Sequence, residues 1–351
     1  MKTTDIQNLL RENIRNLVPY SSARDEYSGA NAVFLDANEN PYNEPYNRYP
    51  DPYQKELKNL VGEIKGVAPS NIFLGNGSDE AIDILIRAFC NPGKDNIVAI
   101  HPSYGMYEVA ANINDIGVRK ASLTGDWQID AKAILGQTDK NTKLVFLCSP
   151  NNPTSNSFDP ESIREIMENF DGIVALDEAY IEFSKYPGFL PELKKYPNLV
   201  ILQTFSKAWG MAGIRLGMAF ADAQIIRVMS KIKYPYNINI LSLRESLKIL
   251  EANRNKMGEW TQLILRERER LKDVLEKSSL ALRVYPSDSN FLMVKFAEPK
   301  KLYNYLTDKK VIVRDRSSVH LCEGCLRFTI GSPVENDLLI SELEKYENID
   351  S

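Results

Sequence analysis

Apolar residues follow two rhythms along this chain. Between residues 96 and 221 they gather in short unbroken runs: NIVAI (96–100), KLVFLCS (143–149), GIVALDEAY (172–180), NLVILQTFS (198–206) and RLGMAFA (215–221). Runs of that length without polar alternation suit strands buried on both faces, hence a largely parallel sheet covered by helices. Between them the spacing turns helical. Ile82, Leu85, Ile86 and Phe89 fall on one face of DEAIDILIRAFC, and NPG stops that helix. The opening, MKTTDIQNLLRENIRNL, reads as an amphipathic helix with Leu9, Leu10, Ile14 and Leu17 on one face.

The pattern changes at YPYNINILS (234–242). A long charged amphipathic helix fills most of 243–279, followed by ALRVYP, NFLMVKF, a helix near 299–308, VIVRD, CLRFTIG and a last helix after Pro333. Short strands mixed with helices predict a smaller α+β unit. The expected α/β architecture is a large domain over 47–235, with a mostly parallel sheet covered by helices, and a small C-terminal domain over 236–351. Residues 1–46, the N-terminal helix and arm, are expected to pack on the small domain and on a partner subunit. NPYNEPYNRYPDPY (40–53) carries four tyrosines and no periodicity. That is a poor composition for a solvated tether, so it reads as an ordered extended arm.

Composition narrows the function classes. The net charge of −4, from 43 basic and 47 acidic side chains, gives no field favouring nucleic acid or an anionic membrane. No apolar run approaches a spanning helix and the start has no signal-peptide core, so a cytoplasmic enzyme is expected. Four cysteines are too few for a disulfide framework. HLCEGC supplies His320, Cys322 and Cys325, but the one other histidine is His101 and there is no second CxxC. A turn with two thiols therefore outweighs a metal site, and a His-based triad is disfavoured.

Five features converge on QTFSKAWGMAGIRLGMAF (203–220) and its neighbours. Lys207 follows a buried strand, where open parallel sheets bind ligands. Desolvation there weakens the amine's hold on its proton and makes it a usable nucleophile for a Schiff base; the plainer alternative is a packed stem with a solvated head. Asp177 ends another strand and can hold a protonated pyridine nitrogen, with Tyr180 near the ring's 3-oxygen, although Asp-Glu at a helix start is also a common cap. Asn152 of CSPNNPT can reach the same oxygen, or simply make a turn. LGNGSDEAI sets glycines and Ser78 before a helix N-terminus, a phosphate cradle. It is not a dinucleotide fingerprint, because Glu80 stands where the third glycine belongs. Ser206 and Arg215 flank Lys207 and can close on that phosphate.

These motifs, LGNGSDEAI, PSYGMY, SPNNPT, DEAYIEF and TFSKAWGMAGIRLG, resemble in kind and order those of the fold type I pyridoxal-phosphate aminotransferases. RENIRNLVPY (11–20), NRYP (47–50) and GCLRFTIG (324–331) bring the likeness closer to the histidinol-phosphate aminotransferases, over nearly the whole chain. The resemblance implies pyridoxal 5′-phosphate held covalently by Lys207, with Asp177 on the pyridine nitrogen and Tyr180 and Asn152 on the 3-oxygen. Tyr104 would stack on the ring. Ser78, the Asp79 backbone, Ser206 and Arg215 would bind the cofactor phosphate, with Tyr49 reaching in from the other subunit of a homodimer. Arg327 would pair with the carboxylate of the amino-acid co-substrate, and Arg314 and Tyr20 would help hold the phosphate ester of histidinol phosphate. The implied reaction is a ping-pong transamination with 2-oxoglutarate and glutamate, in histidine biosynthesis. Ser155 departs from the family, which usually has glycine after NNPT.

Within that cofactor class, a threonine-phosphate decarboxylase or an aromatic aminotransferase would use nearly the same site; Arg327 and RENIRNLVPY favour the histidine-pathway enzyme. A non-catalytic binding protein on this scaffold is disfavoured by intact Lys207, Asp177 and Arg215. A nicotinamide dehydrogenase is disfavoured by the broken glycine pattern.

Overall fold

Each of the five apolar runs becomes a strand of one seven-stranded sheet in the computed structural model, which describes residues 5–19 and 33–350. The strands are β1 (Ile72–Asn76), β2 (Asn96–His101), β3 (Gly117–Ser122), β4 (Thr142–Cys148), β5 (Ile173–Asp177), β6 (Leu199–Thr204) and β7 (Leu216–Ala221), in the order β1-β7-β6-β5-β4-β2-β3. From β3 through β6 the sheet is parallel, as expected. Strand β7 instead runs antiparallel to both neighbours. The reason is chain length: the link from Thr204 to Leu216 holds one 3-10 turn and no α-helix, too little for a parallel crossover. Strands β1 and β3 carry no strong apolar run. GVRKAS is a sheet edge, largely exposed, and edges need no continuous apolar stretch.

Helices cover both faces. They are α1 (Ile6–Leu9), α2 (Glu12–Arg15), α3 (Lys55–Lys65), α4 (Gly77–Phe89), α5 (Met106–Ile113), α6 (Ala131–Gly136), α7 (Pro160–Asn169) and α8 (Ala223–Ile232). Strand alternation splits the apolar runs between two cores. Val145, Leu147, Val174, Leu176 and Ile201 pack with Leu57 of α3 and Ile163 of α7. Leu144, Phe146, Ile173, Ala175 and Val200 pack with Ile82 and Leu85 of α4, Ala111 of α5 and Ile225 of α8.

The N-terminal segment corrects the sequence reading. It forms two short helices with extended backbone at Leu10 and Arg11, not one helix. Ile6, Leu10 and Ile14 enter the second large-sheet core, while Leu17 stays outside. The Arg11 amide donates to the Ala88 carbonyl, and Lys231 Nζ donates to the Ile14 carbonyl at 2.9 Å. The described residues 5–19 thus make these contacts with the helices of the large sheet.

The expected long helix is also two: α9 (Ile240–Asn253) and α10 (Lys256–Lys277). Leu243 and Leu250 of α9 join the first large-sheet core, whereas Leu271 and Leu275 of α10 join a separate core. The polar Asn253–Arg254–Asn255 junction lets the chain turn from one to the other. Then follow β8 (Ala281–Val284), β9 (Phe291–Phe296), α11 (Pro299–Asp308), β10 (Arg314–Asp315), β11 (Cys325–Thr329) and α12 (Pro333–Asp350). The four strands form an antiparallel sheet ordered β10-β11-β9-β8; of VIVRD only the last two residues pair. Leu292, Val294, Leu326 and Phe328 face α10, α11 and α12. Phe291, on the opposite face, meets Tyr180 of the large sheet. Among the described residues no helix is long and apolar enough to cross a membrane.

Strand β7 lies hard against the start of α4. A Cβ added to Gly217 would sit 2.1 Å from the Ser78 nitrogen and 2.2 Å from the Gly77 carbonyl carbon, so the backbone would have to move. Gly217→Ala is expected to cost about 1–3 kcal/mol, the usual range for overpacking, and to lower the thermal midpoint. An unchanged midpoint by calorimetry would contradict that close approach.

Candidate active site

The carboxyl ends of β4, β5 and β6 open into a cavity of about 800 Å³ roofed by the small sheet. Its walls bring together Ser78, Asp79, Tyr104, Asn152, Asp177, Tyr180, Ser206, Lys207, Arg215, Arg314 and Arg327. Tyr49 is not among the lining residues; it is exposed and stacks on Tyr236 at 4.4 Å. Tyr20 lies outside the described residues.

Asp177 is the last residue of β5 and is buried. Its carboxylate accepts from the Tyr107 hydroxyl at 2.6 Å and from the Ala179 amide at 3.0 Å. The second bond is the turn-capping role open to an Asp here, so cap and site residue coincide. Burial pushes the carboxyl up to about 6, against the pull of those two donors. Glu178 points elsewhere. It accepts from the Phe189 amide and Gln203 Nε2, and burial raises its carboxyl to about 7.

Lys207 follows β6 with its amine 5.6 Å from the centre of the Tyr180 ring. Burial lowers its proton affinity, the Arg327 charge lowers it further, and Asp177 pulls the other way. The Tyr180 ring is held edge-on by Phe291, and its phenol is pushed up by burial. Asn152 Nδ2 donates to the Tyr180 hydroxyl at 3.5 Å, and Asn152 Oδ1 accepts from Arg327 Nη1.

The cradle is built from backbone. Gly77 has φ +72°, a left-handed conformation glycine adopts freely, and its amide donates to the Arg215 carbonyl at 2.8 Å. No side chain caps α4, because Asn76 turns instead to Glu80 and the Asn237 carbonyl. The first-turn amides are thus left without a side-chain cap at an anion-favouring helix end. Arg215 Nη2 hangs over this turn, 3.8 Å from Asp79 Oδ2. Tyr104 donates to Asp79 Oδ1 at 3.1 Å, and Ser206 Oγ accepts from Thr204 Oγ1 at 3.0 Å. An uncapped helix end, an arginine, a serine, a buried carboxylate and a desolvated amine in one cavity form a donor set that fits a phosphorylated pyridine aldehyde.

The family profile described as aminotransferase class I and II matches residues 26–343. This chain belongs to that family. It is similar to the histidinol-phosphate aminotransferase of Parabacteroides distasonis, 56% identical over 340 residues, 97% of this chain and 98% of the relative. Among solved structures, the histidinol-phosphate aminotransferase from Clostridium acetobutylicum superposes with a TM-score of 0.78 at 26% identity, covering 87% of this chain and 92% of that one. That from Sinorhizobium meliloti, solved in complex with pyridoxal-5′-phosphate, shares the fold with a TM-score of 0.78 at 22% identity, covering 87% of this chain and 84% of that one.

Sequence reasoning missed several members of the aminotransferase site. Tyr107 was unmarked within PSYGMY, yet it is buried against Phe146 and holds Asp177. Arg316 lines the cavity beside Arg314 and Arg327. The two histidines stack at 5.3 Å, His101 from the large sheet and His320 from the small unit, with His320 Nε2 2.7 Å from Ser122 Oγ. Only an odd-even count along VIVRDR signalled any of these, by setting Arg314 and Arg316 on one face. Cys322 and Cys325 are packed in the core, where burial pushes their thiols up to about 12 and about 11.

Ser155 explains the family's glycine: its φ is +70°. The serine keeps that conformation and uses it to donate from Oγ to the Pro286 carbonyl at 3.1 Å, while its own carbonyl accepts from the Asp288 amide at 2.8 Å. Ser155→Gly exchanges one bond for relief of a left-handed residue and is expected to be nearly neutral. Ser155→Ala keeps the strain and loses the bond, at about 1 kcal/mol. Equal denaturant midpoints for the two variants would contradict this.

Asp177 carries a pH signature. Its folded value is raised above the unfolded value, so its stabilising contribution is complete below about pH 4 and is lost as pH rises through about 6. The cofactor-free Asp177→Asn variant is therefore expected to gain stability over wild type at pH 8, on the order of 2–3 kcal/mol, and none at pH 4. A pH-independent difference in thermal midpoint would refute the assignment.

Proposed function

We propose that this chain is a pyridoxal-phosphate-dependent histidinol-phosphate aminotransferase. It exchanges an amino group between L-histidinol phosphate and 2-oxoglutarate, giving imidazole acetol phosphate and L-glutamate, in histidine biosynthesis. The observation that carries this reading is one cavity that joins Lys207 and Asp177 to Arg314 and Arg327, in a chain aligned nearly end to end with a protein of that name.

The geometry of the cavity and the family resemblance support the following roles. Ser78, the Asp79 backbone amide, Ser206 and Arg215 would hold the cofactor phosphate at the start of α4, and Tyr104 would lie against its ring. Asp177 would keep a proton on the pyridine nitrogen by a charge-assisted hydrogen bond. Tyr180 and Asn152 would donate to the 3-oxygen, an arrangement supported by their mutual contact. Bound, pyridoxal phosphate supplies an aldehyde that links to amines and a cationic ring that accepts an electron pair from the substrate α-carbon. Lys207 would anchor the aldehyde and, once displaced by the substrate amine, move a proton from the α-carbon to the cofactor C4′. Its lowered proton affinity suits that second task. Arg327 would hold a carboxylate, and Arg314 with Tyr20 would hold the phosphate ester. Tyr49, exposed on the arm, would act on the cofactor phosphate of a partner subunit in a homodimer.

A donor screen with 2-oxoglutarate as acceptor tests the substrate. Histidinol phosphate is expected to outpace phenylalanine, and threonine phosphate to give no carbon dioxide; the reverse order would overturn the reading. Lys207→Ala should fold with the wild-type far-ultraviolet spectrum and lose turnover by several orders of magnitude. Wild-type transamination by that variant would overturn the mechanism.

A further inference from the structure

The β10–β11 register sets Arg314 directly opposite Arg327. Arg316, two residues on, returns to the same face and stays tied to β11 through its amide, which donates to the Cys325 carbonyl at 3.0 Å. Asp315 between them faces away and takes the amide and hydroxyl of Ser317. Three guanidinium groups therefore share one wall of the cavity. Among the described residues none of the three pairs with a carboxylate, and the Nε atoms of Arg316 and Arg327 are buried without a partner. Burial and the charges of Arg327 and Arg314 all weaken the hold of Arg316 on its proton.

Like charges on neighbouring strands destabilise a sheet, and a buried donor without an acceptor adds to that cost. Such a cluster is stabilised when an anion lies among its members. One arginine fork matches a carboxylate, with two oxygens and a single charge. A phosphate monoester presents three terminal oxygens and, above about pH 6, close to two charges. It needs more donors than Arg314 alone can offer, and Arg327 has one arm already engaged with Asn152.

We propose that Arg316 is a specificity-determining residue that binds the phosphate monoester end of the amino donor and contributes little to the carboxylate of the co-substrate. This rests on the histidinol-phosphate reading above. Arg316 thereby separates two ligands that share one end of the site: Arg327 serves the carboxylate, and Arg316 joins Arg314 on the dianion.

The test compares wild-type holoenzyme with Arg316→Gln and Arg316→Lys. With Arg316→Gln the KM for histidinol phosphate is expected to rise about tenfold or more, the KM for 2-oxoglutarate to stay within about threefold, and kcat to change little; Arg316→Lys should recover part of the loss. Both KM values rising by the same factor, or neither moving, overturns the proposal. Calorimetric titration of inorganic phosphate into the holoenzyme, whose cofactor already fills the α4 cradle, separates this from the parent reading. If wild type turns over no histidinol phosphate, the assigned function fails. Phosphate affinity then still decides on Arg316: a loss of about tenfold in Arg316→Gln upholds the anion site, and equal affinity sinks it.

Discussion

A carboxylate sealed at the end of a strand needs a positive partner, and among the described residues none lies within ion-pair distance of Asp177. Two neutral donors hold its oxygens, and burial still raises its proton affinity. Lys207, whose charge acts on Asp177, lies over the Tyr180 ring and is itself desolvated. Each group alone is an unfavourable burial. Together they flank a space in which, on the proposed reading, a flat cationic ring linked to the amine would satisfy both. The rest of the architecture serves that pairing: β5 and β6 are adjacent and parallel, so their ends deliver the acid and the base side by side.

Strand β7 adds the third element. Because it turns straight back beside β6, Arg215 returns to the start of α4, where Gly217 allows the backbones to touch. The proposed phosphate cradle and covalent anchor, Arg215 and Lys207, thus belong to one short loop, residues 205–215. The small sheet completes the enclosure and faces it with charge. Its ties to the large sheet are specific: Arg327 to Asn152, Ser155 to Pro286, and His320 to Ser122.

Much of this was legible beforehand, for identifiable reasons. Buried strands in a parallel sheet announce themselves as continuous apolar runs, so β2, β4, β5, β6 and β7 were found, and the residues just after them became site candidates. Strand direction is not written in an apolar run; the antiparallel course of β7 inside a mostly parallel sheet is signalled only by the short link before it. Polar edge strands such as β3 give no such signature. Ile6, Leu10 and Ile14 showed which face of the N-terminal segment is buried but not against what, since any apolar groove would serve. Arg316 escaped because an arginine just past a short strand is ordinary; the β10–β11 register, which sets Arg314 opposite Arg327 and ties the Arg316 amide to Cys325, is what gives it meaning.

The most direct test of the central pairing is borohydride reduction of the holoenzyme followed by peptide mapping by mass spectrometry. The account predicts that a reduced phosphopyridoxyl group appears on Lys207, in the peptide carrying FSKAWG, and that Asp177→Asn strongly diminishes its yield at equal cofactor concentration. Labelling of a different lysine, or full labelling of Lys207 regardless of Asp177, would contradict it.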